Sequence, residues 1–317
     1  MLNLQQFNPL AKSIPSIIAL GLLVTALSAT AWSQALPTST GRKLAPDALN
    51  VIAPGVEYGD TFQGPVDLPF VAQHPELVWT PEYAPVTDTL IEKGKQVVFR
   101  GDAYSLEFAF KPVRMIEVNG QNVWYLLYRV RYLGGDLKPK SEQDQYNNQV
   151  FATPEAVSAA WVRFLPLFTL DVKGVNKRYV DRIVPGAKQL IAAKERVGKP
   201  IYDSVEIQRL KIEITTEAED NSVWGVAMWN NVDPRTDFFA VEVRGLTNAQ
   251  RIESAGESLK YLQKILVLHF SRPGDTINEL DDRIRYGIPA LEDPKRQQYV
   301  LDQFGIQERL DHMWVYR

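Results

Sequence analysis

Asn119-Gly120 stands between two runs of strand-forming residues, "AYSLEFAFKPVRMIEV" before it and "QNVWYLLYRVRYL" after it. Both residues tolerate the positive φ that a two-residue type I′ turn demands, so the pair specifies an antiparallel hairpin and its register together. With Asn119 and Gly120 as the central pair, Val118 faces Gln121, Met115 faces Trp124, Val113 faces Leu126 and Ala109 faces Val130. This nearly all-apolar face is predicted to be core. The other face pairs Arg114 with Tyr125, Phe110 with Arg129 and Phe108 with Arg131. Three guanidiniums among three rings make a candidate ligand-binding stripe for an acidic glycan or another anionic polymer, because ring contacts add to charge. The plainer account is a half-exposed sheet face on which arginine stems cover the rings while their heads reach water.

Strand texture continues downstream. "WVRFLPLFTLDV" reads as a strand with Pro166 at a bulge or edge, and "SVEIQRLKIEITT" alternates with a slip near Arg209. "KYLQKILVLHF" and the terminal "HMWVYR" read as two more. Asp233-Pro234 suits the first two positions of a type I turn, which predicts a loose hairpin between strands at about 223–229 and 237–243. In that stretch Trp224 and Trp229 fall on opposite faces, so they cannot form one flat platform for a sugar, and core packing accounts for them better. Three short helices are expected. One starts at Thr153-Pro154-Glu155, one carries Leu190, Ile191 and Lys194 and closes at Gly198, and one runs from Asp293-Pro294 to about Phe304 and stops at Gly305. Together these predict a mainly β chain: an antiparallel β-sandwich of immunoglobulin-like architecture with two or three short helices.

The 317 residues, 45% of them hydrophobic, suffice for one large domain or two small ones. The N-terminus reads as a secretory leader: Lys12, an apolar run from Ile14 to about Ala29, and an A-x-A pattern at Ala29-Thr30-Ala31. The expected order is a signal peptide over 1–31, a proline-rich extended arm over 32–94, and a sandwich over 95–317, with two sandwiches split near 200 as the alternative. Within the arm, 66–71 and 77–79 are candidate edge strands. The leader implies export to a periplasmic, cell-envelope or extracellular site, with membrane attachment only through an uncut signal. The chain has no cysteine, which rules out thiol catalysis and thiolate-ligated zinc or iron–sulfur centres within it.

Net charge is −3, from 35 basic and 38 acidic residues, so a general nucleic-acid binder is not expected. His74, His269 and His312 stand far apart and in no metal-ligand spacing. Acids gather at Glu217, Glu219 and Asp220, around Asn231, Asp233 and Asp237, and at Glu279, Asp281 and Asp282. None follows a calcium-loop pattern, and solvated turns explain them. No nucleophile elbow, phosphate loop or dinucleotide fingerprint occurs. No catalytic residue, metal site or cofactor is therefore assigned. The reading is an exported, non-catalytic cell-envelope protein with a scaffold or binding role. Its partner is an acidic glycan or another envelope protein. The alternative is a carbohydrate-binding or carbohydrate-cleaving protein that uses the Arg/aromatic face.

Overall fold

The structure, a computed structural model, describes residues 48–66, 97–255, 258–272, 274 and 283–317. The expected leader over 1–31, most of the expected proline-rich arm with its candidate strands beyond Val66, and the acids Glu279, Asp281 and Asp282 lie outside the described residues. The described chain is mainly β. In chain order its principal elements are β1 (Asn50–Ile52), β2 (Glu107–Phe110), β3 (Arg114–Val118), β4 (Gln121–Arg131), β5 (Leu167–Val172) and β6 (Lys177–Val180). Then come α1 (Ala187–Glu195), β7 (Ile201–Tyr202), β8 (Val223–Asn230), β9 (Phe238–Arg244), β10 (Gln250–Ala255) and β11 (Ser258–Ser271). β12 (Arg285–Tyr286), α2 (Pro294–Phe304) and β13 (His312–Tyr316) complete the order.

Two antiparallel sheets pack face to face. One runs β1-β2-β4-β8-β7, with β3 also on β4 and β7 the only strand that pairs in parallel among them. The other runs β6-β5-β9-β11-β10, with β12 and β13 on the far edge of β11. Each sheet takes strands from both sides of residue 200. Between them lies one apolar layer. The first sheet supplies Phe108, Phe110, Trp124, Leu126 and Trp229, and the second Phe168, Leu170, Phe239, Leu268 and Phe270. Burying each such side chain is worth roughly 1.5–3 kcal/mol, so this layer dominates the favourable side of folding. Outside the first sheet, α1 covers Tyr125, Leu127, Val226 and Met228 with Ala187 and Ile191, which stand four apart and share a helix face.

The hairpin forms as expected close to its turn: Val118 pairs with Gln121, Met115 with Trp124 and Arg114 with Tyr125. Further out the expected register is wrong by one. Phe110 pairs with Tyr128, Ala109 with Arg129, Phe108 with Val130 and Glu107 with Arg131. Between the two ladders the first strand has three residues, Lys111 to Val113, where its partner has two, Leu126 and Leu127. Pro112 cannot donate to the ladder, and the extra residue forms a bulge there. One added residue exchanges the two faces beyond it, so Phe108 and Phe110 enter the core instead of the arginine face.

Other corrections follow the same physics of local competition. Pro154–Val157 is a strand paired with Asp136–Pro139 rather than a helix start; its few apolar residues give a helix no face to bury. The 205–215 strand is mostly turn. Asp203 accepts from the N–H groups of Val205 and Glu206, and a 3-10 turn follows over Ile207–Arg209, so side-chain bonds to the local backbone win over a ladder. β8 and β9 lie where expected but belong to different sheets. The Asp233-Pro234 turn thus carries the chain from one layer to the other and closes no hairpin. Trp224 and Trp229 are both buried, on opposite faces of β8. The rings of that stretch are interior.

Candidate functional site

At one end of the second sheet the chain builds a cleft of about 800 Å³ from β12, the 287–291 segment, α2 and the residues just before β13. Its construction starts from α2. Asp293 caps the helix by accepting from the Lys295 N–H at 3.0 Å, and Pro294 fills the first turn, where no donor is needed. Val300, Leu301 and Phe304 then face Ile288, Leu291 and Phe238. Phe304 meets the ring of Phe238 edge-on at 5.7 Å and that of His269 at 5.0 Å. This packing fixes one wall.

The opposite wall is set by Gly287 and Asp311. Gly287 has φ +97°, and a Cβ there would lie 2.7 Å from the Asp311 carboxylate, so only glycine fits. Asp311 Oδ1 accepts from the Ile288 N–H at 3.0 Å, which makes this one lining carboxylate part of the wall. Tyr286 anchors the floor. Its ring packs edge-on against Phe110 at 5.0 Å, and its hydroxyl meets His312 Nδ1 at 2.8 Å. Burial, with Asp311 adding, pushes its hydroxyl up to about 12, so it stays a neutral phenol at any physiological pH.

The rim is basic. Arg285, Lys295, Arg296 and Arg309 line the cleft with exposed side chains, and none of the four forms an ion pair among the described residues. Arg272, nearly fully buried at the deep end, donates to the Pro234 carbonyl and lies over the Trp124 ring. Among the described residues, five cations against one carboxylate give the lining a charge of +4. The whole chain carries −3, so the remainder carries −7. The same cleft is lined by Tyr286, Tyr299, Phe238, Ile288, Leu291 and Val300. Such a surface attracts a negatively charged ligand and offers apolar faces against which a ring can lie.

The six residues of the expected arginine stripe are not brought together on one open face. Phe108 and Phe110 are fully buried between the sheets, and Tyr125 is fully buried beneath α1. Arg114 is held by Glu195 at 2.9 Å, beside Lys111 at 2.8 Å, and the Tyr125 hydroxyl donates to the same carboxylate at 2.6 Å. Burial alone would push the Glu195 carboxyl up, but Lys111, Tyr125 and Arg114 outweigh it and hold the carboxyl below its usual range. Arg131 forms a two-pronged pair with Glu107 at 2.7 and 2.8 Å, and Arg129 reaches the same group at 3.4 Å.

The acids are similarly engaged. Asp233 accepts from the backbone and guanidinium of Arg235, which hold it down at about 2. Asp220 is pushed up by partial burial, but bonds from Lys199 and Ser222 win and hold it at about 2. No cluster of three or more His, Asp or Glu suited to a metal occurs among the described residues. The comparisons with known proteins are silent: no protein-family model, curated protein or solved structure matches this chain.

Sequence reasoning missed the cleft because residues 283–309 hold five basic and four acidic residues, an unremarkable balance until the fold sorts them. One signal was present. Lys295 and Arg296 sit in the first turn of α2, which contains no acid. Cations oppose the dipole at that end of a helix.

Proposed function

We propose that this chain is an exported, non-catalytic cell-envelope protein with a binding role, and that its ligand is an anion seated in the cleft between β12 and α2. The observation that carries the reading is the rim: four exposed cations without carboxylate partners among the described residues, over a floor of rings, on a chain that is otherwise acidic. Like charges that line one cleft repel one another, and a bound anion relieves that repulsion. Asp311 is engaged as a wall piece, which supports recognition rather than reaction. Export rests on the leader-like N-terminus alone. N-terminal sequencing of material recovered outside the cytoplasm tests it, with a start near 32 or 36 expected.

Calorimetric titration tests the binding reading. The probes are inorganic phosphate, citrate and a galacturonate tetramer, at low and at physiological salt. At least one should bind one-to-one, more weakly at higher salt, and lose at least tenfold in affinity in the Arg285→Ala/Arg296→Ala double variant. If none of the three binds, or if binding ignores the double variant, the cleft is not the site.

A further inference from the structure

Granting that the cleft binds an anion, its geometry points further, and we infer that the ligand is an acidic oligosaccharide carrying its charges one per ring along several rings. Three features carry this. The first is spread. Arg285 lies on β12, Lys295 and Arg296 on the first turn of α2, and Arg309 on the segment leading to β13. A ligand that engages all three elements meets several cations at once and is favoured by carrying several charges. The second is the floor. Tyr286, Tyr299 and Phe238 line the cleft together with the cations, and Tyr299 is 60% exposed although it stands on a helix with an apolar buried side. Rings and cations in one cleft suit a ligand that presents both apolar sugar faces and carboxylates, as an acidic glycan does. The third is capacity. About 800 Å³ is the volume of a ligand of several rings and is far more than one small anion fills.

The charge distribution selects against nucleic acid. Duplex DNA carries one charge per about 1.7 Å of its axis and extends well beyond any one cleft. Outside the +4 lining the chain is at −7, so a dense, long polyanion is repelled where it leaves the cleft. A uronate chain is more sparsely charged. Its carboxylates also suit the planar fork of arginine, and arginine supplies three of the four rim cations.

The test compares galacturonate of one, two and four units, a neutral glucose tetramer, inorganic phosphate and a single-stranded oligonucleotide, by calorimetry on the full exported chain. The expected result is tight binding of the galacturonate tetramer, with affinity rising at least tenfold from one unit to four. The neutral tetramer should bind at least 100-fold more weakly. Tyr299→Ala should weaken the tetramer at least fivefold while leaving any phosphate binding unchanged. The variants' melting temperatures confirm that each is folded. Phosphate or the oligonucleotide binding in the cleft while the tetramer does not would overturn the saccharide assignment and leave the anion reading standing. So would equal affinity for one and four units. Silence from every probe would overturn both.

Discussion

Two groups of cations sit on this sandwich, and only their neighbours tell them apart. Lys111, Arg114, Arg129 and Arg131 belong to the β2–β4 region, where each reaches a carboxylate, Glu195 or Glu107, in or beside the interior. Arg285, Lys295, Arg296 and Arg309 belong to the cleft, face water and meet no carboxylate among the described residues. The first group holds the fold together: Glu195 ties the end of α1 to the bulge and to the sheet beneath it. The second contributes nothing evident to the fold. A guanidinium among rings is therefore ambiguous as a motif. What separates a strut from a site is whether the protein supplies the counter-charge itself.

The bulge at Pro112 turns Phe108 and Phe110 into the core, and losing those two rings gives the largest expected effect. Phe108→Ala/Phe110→Ala removes both from the apolar layer between the sheets. Losing one buried phenylalanine costs about 3–5 kcal/mol, and two approach the whole stability of a domain, roughly 5–15 kcal/mol. The double variant should show no cooperative thermal transition. A sharp transition near that of the parent would mean that the two rings do not lie in the core.

Next in size is Glu195→Ala. It takes away the carboxylate shared by Lys111, Arg114 and the Tyr125 hydroxyl, and breaking a buried pair from one side costs about 3–5 kcal/mol. At the cleft, Arg285→Ala and Arg296→Ala should each shift stability by no more than about 0.5 kcal/mol. Denaturant titrations of the three variants check the contrast directly. Equal losses would erase the distinction between the two groups.

Asp181 supplies the mirror case, a half-buried carboxylate that relies on neutral donors. Its bonds come from the Met228 N–H at 2.7 Å and the Ser204 hydroxyl. Burial pushes its carboxyl up to about 6, against the bonds and with Asp203 adding. A folded-state value above the unfolded one means that the native state holds the proton more tightly. The resulting stabilisation is complete below about pH 4 and disappears as pH rises through 6, a swing of about 3 kcal/mol for two units. Asp181→Asn keeps the shape and cannot titrate. Relative to the parent it should gain stability steadily from pH 4 to pH 7. A pH-independent difference would show that Asp181 is not buried as described.

These cases also show what the sequence can carry. Local signals were read correctly where one turn or cap decides the outcome. Asn119-Gly120 marks the hairpin and its first pairs, Asp293-Pro294 and Gly305 bound α2, and the opposite-facing Trp224 and Trp229 read as core, which they are. Failures came where partners distant in sequence decide. Pro112 could have been read as a bulge, yet only the ladder against Leu126 and Leu127 counts the extra residue. Nothing local says that the strands on either side of Asp233-Pro234 join different sheets. The cleft was hidden for the same reason, since its lining runs from Phe238 to Asp311 and no short window contains it.

A small expected gain in stability is the most discriminating. Asp293 is the cap of α2 and Arg296 lies three residues on, where a capping box would place an acid. Arg296→Glu should complete that box and remove a cation from the positive end of the helix dipole. The expected gain is about 1 kcal/mol at low salt and less at high salt. Stability measured by denaturant titration should therefore rise while affinity for the galacturonate tetramer falls at least tenfold. Opposite movements are the mark of a residue kept for a ligand at a cost to the fold. If stability fell together with binding, Arg296 would be a strut like Arg114, and the contrast between the two groups of cations would fail at its central residue.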